Sequence, residues 1–539
     1  MVPVPPHARL ASRVVIALAA IWIGVVGLIY GTWSAGTADS HGYISQAALW
    51  LDGDLIVRHP LAASVPWPHA EWSFSPLGYR PGQARGLLVP TYPVGRPIVM
   101  AGFQAIGGPR AVYLVVPLFG VLAIFATARL ATQFESPLAG AAAALCLASS
   151  PTFLYSLMWP MSDVPAAALW SLAIVGAAGG GIPSAIGAGV AAGLAVLTRP
   201  NLVLVAVAPA CYLLWRVRHR NEMRTHLDQA VSAAPHARRL AWIRLAIVCG
   251  LIVSACAGVA AVHTWLYGSP LSTGYGPVGQ IYALSHVTAA ATGFALRPLS
   301  LEPALVVLCV VGMCWQIGSA REPRTLVWAA MATIALVLVS YAFYVSFAEW
   351  WYLRLLLPAW PIAAAFAGVA MVRLVQRVPA RWQAIAALGL IVVIVGTGGR
   401  ETVRRGVFTL RASESRYETV ARFVRRALPA NAVFFSFQES GSLRFYADRL
   451  IVRFDILPEH RLNQAIDTLR ARGYRPYFVI EQQEEDVFKA RYDRLSPLSR
   501  LDWTPVAELD GPVRVRIFDP ADHDKPRDGQ PITTFPIRP

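Results

Sequence analysis

The stretch VVIALAAIWIGVVGLIYGTWSAGTADSHGYISQAALW, residues 14–50, decides the class of the fold. It opens with an uncharged apolar run long enough to cross a hydrocarbon core at about 1.5 Å per residue. A lone acid, Asp39, stands just past the end of that run. The rest of the chain agrees with a membrane setting: 55% of residues are hydrophobic, 14% are charged, and the mean hydropathy is +0.48. Soluble domains lie far from these values.

Apolar blocks recur, and the sequence predicts about eleven spanning helices near 14–33, 111–131, 137–158, 163–180, 183–198, 201–216, 243–266, 303–318, 325–347, 355–376 and 381–398. The pair around LTRPNL also reads as one broken helix. Arginines cluster in HARLASR before the first span, in WRVRHRNEMRTH through HARRLAWIR, in SAREPR and in VRLVQRVPAR. Short cytoplasmic loops collect such residues, so these segments read as inside. Residues 34–110, 267–302 and the tail after about 399 then lie outside. The N-terminal run reads as a retained anchor, because no small-residue cleavage pattern follows it.

The net charge of +16 falls largely in the inside loops, where anionic lipid head groups are the simplest partner; nucleic-acid binding is rejected. Cys146, Cys211, Cys249, Cys256, Cys309 and Cys314 all lie in or beside spans. They read as packing residues, since neither disulfide nor metal spacing is present.

After VIVGTGGR long apolar runs stop and charge becomes frequent. YETVARFVRRALP and PEHRLNQAIDTLRARG have helical periodicity, whereas NAVFFSF, RLIVRF and YFVIE are rich in strand-forming residues. The fold class is therefore a multi-pass helical membrane protein with a C-terminal soluble α/β domain. Its expected parts are a membrane domain over 1–400, whose exterior loop 34–110 carries interfacial helices, an exterior α/β domain over 401–520, and a poorly ordered tail over 521–539. No nucleotide-binding glycine pattern occurs in the α/β part.

In the loop 34–110, Ile44, Ala47, Ala48 and Leu51 fall on one helical face and Ser45, Gln46 and Asp52 on another. That pattern predicts a helix lying in the interface, with Tyr43 and Trp50 at head-group depth and Asp39 at its start. As a helix cap, Asp39 contributes about 0.5–2 kcal/mol and needs no further role. Asp163 in MWPMSDVPAAALW recurs at another exterior span end and reads equally as a helix start with Pro165. Asp52 and Asp54 form a D-x-D, read either as metal ligands or as a polar helix stop.

The combination of TADSHGYISQAALWLDGD, VPTYPVGRPIVMAG, MWPMSDVPAAALW, LAVLTRPNLVLV and EWWYLRLLLPAWP, in that order along the spans, resembles the C-type (GT-C) integral-membrane glycosyltransferases. That superfamily holds the protein O-mannosyltransferases and the aminoarabinose transferases of lipid A, and the likeness runs over roughly residues 10–400. It implies that Asp39 is the active-centre acid, a general base or a ligand to a divalent cation, and that Asp163 is a second acidic position. It also implies a polyprenyl-phosphate sugar as donor, transferred at the exterior membrane surface to an envelope glycolipid, polysaccharide or protein, with inversion at C1. No other cofactor is implied.

Such a transfer needs a carboxylate to take the acceptor's proton and cations for the departing phosphate. Arg354, Arg199 and Arg96 stand at exterior span edges as phosphate-binding candidates, though arginines there also snorkel to head groups. Tyr43, Trp351 and Tyr352 are candidate sugar or acceptor contacts, and Trp350 adds to the aromatic run before Arg354. The sequence departs from the O-mannosyltransferases in having Ser40 after Asp39 instead of a second acid, and in lacking their lumenal β-trefoil insert. An arginine-rich, alanine-rich composition suits a bacterial inner membrane with undecaprenyl carriers. The other readings of a long multi-span chain are a lipid-sugar flippase or transporter and a non-catalytic envelope scaffold.

Overall fold

A computed structural model describes residues 5–218, 234–318, 324–345, 347–525 and 533–536. The chain opens with α1 (Pro6–Tyr30), which starts on prolines suited to a first helical turn. An extramembrane segment follows: α2 (Ala38–Asp52), then β1 (Val57–Arg58), β2 (Tyr79–Pro81) and β3 (Leu87–Pro90) paired antiparallel in the order β1-β3-β2, then α3 (Gly95–Gly107). The bundle continues with α4 (Val115–Phe134), α5 (Pro137–Ala148), α6 (Pro151–Met158), α7 (Asp163–Ala178), α8 (Ile182–Thr198), α9 (Val207–Arg218) and α10 (Ala234–Tyr267). A short hairpin, β4 (Ser272–Thr273) and β5 (Gly276–Pro277), leads to α11 (Val287–Leu301), α12 (Pro303–Gly318), α13 (Arg324–Ala342), α14 (Trp360–Gln376) and α15 (Gln383–Arg404).

Among the described residues seven helices are long and apolar enough to cross a membrane, or nine if each of two bent pairs is one span. The eleven spans expected from sequence overcount. Helices α7 and α8 have 16 and 17 residues. At 1.5 Å per residue they reach about 24 to 26 Å, short of a core of about 30 Å. The segment expected as one straight span at 137–158 bends by 60° between α5 and α6. At that break Ser150 accepts the Phe153 N–H, and Pro151 opens the new helix. The LTRPNL stretch also breaks, with α8 ending at Thr198 and a 3-10 run, Pro200–Ala206, preceding α9.

Helix α14 lies at the centre of the bundle, and small residues let its neighbours approach. A Cβ on Gly368 would meet the Ala139 carbonyl of α5, and one on Gly312 of α12 would meet the Phe366 backbone. By contrast α15 leaves almost all its apolar surface exposed, as a helix against lipid does.

The C-terminal part begins with α16 (Leu410–Ala427), followed by β6 (Ala432–Ser436), α17 (Ser440–Ala447), β7 (Leu450–Val452), α18 (Leu462–Ala471), β8 (Arg475–Glu481), α19 (Glu485–Tyr492), β9 (Ala507–Asp510), β10 (Val515–Phe518) and β11 (Thr533–Pro536). The strands form one sheet in the order β11-β9-β10-β8-β6-β7, parallel at β7-β6-β8 and β11-β9 and antiparallel through β10. Alternate residues of β6 serve opposite faces: Val433 and Phe435 join Leu462 and Phe488, while Phe434 joins Val420 and Leu443. Strand β11 is an edge strand in the segment that reads from sequence as a poorly ordered tail. The remainder of 526–539 lies outside the described residues.

The loop 34–110 and the α/β part share one face of the bundle and one core. Trp67 and Phe74 of the loop pack with Phe435, Phe454 and Leu457. Arg453 donates its backbone N–H to the Ser73 carbonyl at 2.6 Å, and Arg472 donates to Ser64 Oγ at 2.6 Å. This cover corrects the polar and apolar faces expected for α2. Ser45 and Gln46, assigned to its polar face, are buried, as is Tyr43, while Leu51 is exposed.

Candidate active site

Asp39 is the second residue of α2 and does not cap it: the residue before the helix is Thr37, and no side-chain cap bond forms. Its carboxylate faces away from the helix backbone. Oδ1 accepts the Tyr92 hydroxyl at 2.6 Å, and Oδ2 accepts Arg354 Nη2 at 2.8 Å. Burial pushes the Asp39 carboxyl up, but the Arg354 guanidinium and the Tyr92 hydroxyl outweigh this and hold it below the usual carboxylate value.

Arg354 belongs to the 3-10 run Trp350–Ala359 that leads into α14, and it bridges two acids. Its Nη1 lies 3.5 Å from Asp163 Oδ2. Asp163 opens α7 and is fully buried; its other oxygen pairs with Arg199 at the end of α8. Arg199 also donates to Ser162 Oγ at 3.0 Å and to the Tyr341 hydroxyl at 3.2 Å. Tyr43 donates to the same Ser162 Oγ at 3.0 Å. One chain of polar contacts thus joins α2, α7, α8, α13 and the run before α14. Two carboxylates face two guanidiniums, so burial of each ion is offset by a partner.

This chain forms one wall of a cavity of about 340 Å³, a volume within the range of small-molecule sites. Asp39, Tyr43, Arg199, Tyr352 and Arg354 line it, together with the apolar Leu197, Val259, Val262, Ile281 and Leu355. Tyr352 lies 5.6 Å below the Arg354 guanidinium and stacks on Phe347 at 4.0 Å.

Three sequence candidates do not line the cavity. Arg96 is 1% exposed, donates to the Pro160 carbonyl and sits 4.8 Å from the Tyr43 ring, so it supports that tyrosine from behind and does not reach the cavity. Trp351 turns away and stacks on Tyr155 at 6.4 Å. Asp163 also stands behind the cavity wall, reaching it only through Arg199 and Arg354.

Sequence reasoning missed Tyr92, Tyr275, Tyr341 and Tyr344, which line the same cavity. Tyr275, on the β4–β5 hairpin, meets the Tyr92 ring edge-on at 5.8 Å. Burial, followed by the nearby Asp39 charge, pushes the Tyr92 hydroxyl well above its ordinary value, so Tyr92 stays a proton donor to Asp39. Tyr92 lies within VPTYPVGRP, but nothing local marks it as a partner of Asp39.

A cation site built by the protein is not supported. Among the described residues no group of three His, Cys, Asp or Glu side chains is placed to hold a metal. Both Asp39 oxygens are engaged, one by a guanidinium that would repel a cation. Asp54 instead accepts the Ile56 N–H at 2.8 Å in a turn, and Asp52 is exposed.

Residues 93–242 match the protein-family model described as dolichyl-phosphate-mannose-protein mannosyltransferase. The match includes Arg96, Asp163 and Arg199 but neither Asp39 nor Arg354. The whole fold is similar to that of ArnT from Cupriavidus metallidurans. In the apo state the TM-score is 0.55 at 14% identity, over 97% of this chain and 100% of that one. Bound to undecaprenyl phosphate, the values are 0.51 and 15%, over 95% and 99%. At these identities the likeness to ArnT is one of fold. The oligosaccharyltransferase of Archaeoglobus fulgidus in its apo form shares the fold at a TM-score of 0.53 and 12% identity, over 97% of this chain and 75% of that chain. No curated protein sequence matches this chain.

Proposed function

We propose that the protein transfers a sugar from a polyprenyl-phosphate carrier to an envelope acceptor, with inversion at C1, at the exterior face of a bacterial cytoplasmic membrane. The observation that carries this reading is Arg354, set between Asp39 and Asp163 on the wall of a cavity that Leu197, Val259 and Val262 also line. A lipid-linked sugar phosphate has a matching division into an anionic head and an apolar tail. The fold relatives ArnT and the A. fulgidus oligosaccharyltransferase AglB have been captured with undecaprenyl phosphate and with a dolichol-phosphate, respectively.

In this mechanism the carrier phosphate takes Arg354 as its counter-ion, with Arg199 beyond it, and the isoprenoid runs along Leu197, Val259 and Val262. Arg354 leaves Asp39 for the phosphate, freeing the carboxylate to take the acceptor's proton. The acceptor oxygen or nitrogen bonds to C1 as the C1–O bond to phosphate breaks, and polyprenyl phosphate departs with both bonding electrons. Tyr43 and Tyr352 offer ring faces to the sugar.

Two measurements test the reading. Purified protein in nanodiscs should release polyprenyl phosphate from an undecaprenyl-phosphate pentose or hexose when envelope extract is supplied, and should leave nucleotide sugars untouched. Consumption of nucleotide sugar, or of no lipid-linked sugar at all, would overturn it. For orientation, a reporter fused after Lys525 should behave as exported and one fused after Arg218 as cytoplasmic. A cytoplasmic result at Lys525 would put the cavity on the wrong side of the membrane.

A further inference from the structure

The segment that delivers Asp39 is strained. Between α1 and α2, Trp33 and Thr37 both adopt positive φ, 45° and 50°. Such values are costly for these residues, about 1–3 kcal/mol each, and persist only where the surroundings over-determine the backbone. Part of that hold comes from the bundle. Thr32 N–H donates to the Met158 carbonyl at 2.9 Å, and the Trp33 ring stacks on Tyr113 at 5.5 Å.

The other part comes from the α/β domain. The Ala35 N–H donates to the Tyr446 hydroxyl at 2.7 Å, and that hydroxyl also meets the Tyr113 hydroxyl at 3.3 Å. The Tyr417 ring lies so close over Gly36 that a Cβ there would overlap it. Tyr417 is in turn fixed by Arg416, which donates to its hydroxyl at 2.6 Å and to Glu481 at 2.9 Å. Two residues beyond Asp39, the His41 ring packs on Gly441, where a Cβ would stand 2.6 Å from it. Helices α16 and α17 therefore grip the chain on both sides of Asp39, from the far end of the sequence.

We infer that the α/β domain is a positioning element of the transferase: Tyr446 and Tyr417 hold the strained segment Trp33–Thr37 in the conformation that turns Asp39 toward Arg354 and the cavity. This rests on Asp39 being the proton-accepting group of the proposed reaction. It also assigns a use to the sheet end that carries Glu481. In open α/β sheets the crevice beyond the carboxyl ends of parallel strands is the usual ligand site. Here Arg416 fills the space beside the end of β8, and the Asp39 segment lies over it.

The test is Tyr446→Phe in the full-length protein, which keeps the ring and removes the hydroxyl that accepts the Ala35 N–H and meets Tyr113. The amides of residues 33–39 should exchange hydrogen at least about tenfold faster, since a buried donor has lost its partner. Turnover should fall roughly tenfold with donor KM unchanged, as expected for a misaimed proton acceptor. Gly36→Ala, which pushes on Tyr417, should produce the same split at normal membrane level. Unchanged exchange in Tyr446→Phe, or faster exchange with unaltered turnover, would overturn the inference. The exchange arm does not depend on catalysis. If wild-type protein transfers no lipid-linked sugar yet Tyr446→Phe still loosens residues 33–39, the positioning contact stands and the functional reading has failed.

Discussion

Asp39→Asn should accumulate in the membrane at the wild-type level, bind the lipid-linked donor, and transfer sugar at least about a hundredfold more slowly, the lower end of what a general base contributes. The substitution keeps the shape of the side chain, and an amide oxygen can still accept from Tyr92 or Arg354. What it removes is the capacity to take a proton. Were Asp39 an ordinary helix cap, asparagine would serve as well as aspartate and the rate would hold. The geometry already argues against that, because neither carboxylate oxygen bonds the helix backbone and Thr37 occupies the cap position. The comparison with Asp39→Ser sharpens the result, since serine is also a good cap and also lacks a basic carboxylate. Both variants should be slow. A fast Asp39→Asn enzyme at normal level would remove Asp39 from the chemistry. A rate that falls on chelation and returns with added divalent ion would recast Asp39 as a metal ligand. The proton-acceptor role expects chelation to leave the wild-type rate unchanged.

The sequence was legible where a residue's setting is local. Apolar runs found the bundle, and acids or arginines at span ends found Asp39, Asp163, Arg199 and Arg354, because a charge beside a hydrocarbon segment is costly enough to stand out. NAVFFSF, RLIVRF and YFVIE were readable as strands because β-branched and aromatic residues crowd there. The short pieces AELD, VRIF and TTFP were not, since each is completed only by its sheet neighbours. Arg96 and Arg354 look alike in sequence, each an arginine near an aromatic at a span edge. Only packing separates them, one sealed behind Tyr43 and the other on the cavity wall. Helix α2 misled for the same reason. Its alternation of polar and apolar residues suits an interface, yet the Tyr79 hydroxyl donates to Ser45 and the α/β domain roofs the helix, so polar side chains are buried there too. The cavity tyrosines come from widely separated helices and loops and leave no periodic trace.

Arg354 should separate into two functions when it is changed in two ways. Arg354→Lys keeps a positive charge near Asp39 but replaces a planar fork with a single ammonium, which cannot hold two acceptors in fixed geometry. Loss of one charge-assisted bond to phosphate should weaken donor affinity by roughly ten- to a hundredfold. Arg354→Gln removes the charge altogether and should act on pH dependence as well. In the wild type the Arg354 charge holds the Asp39 carboxyl below its ordinary value. The base is therefore available above that lowered value and is lost only as pH falls through it. Without Arg354, burial acts on Asp39 with the Tyr92 bond and the weaker pull of the Arg199 charge against it, so protonation begins at higher pH and the acidic limb of the rate profile should move up. The lysine variant should keep that limb closer to the wild-type position while binding donor weakly. Profiles of kcat/KM against pH, which report the donor-free enzyme in which Arg354 still pairs with Asp39, set beside donor titrations, read the two effects separately. An acidic limb unmoved in Arg354→Gln would mean that Arg354 does not set the charge state of Asp39. Undiminished donor affinity in Arg354→Lys would mean that the phosphate is held elsewhere, with Arg199 the next cation on the cavity wall.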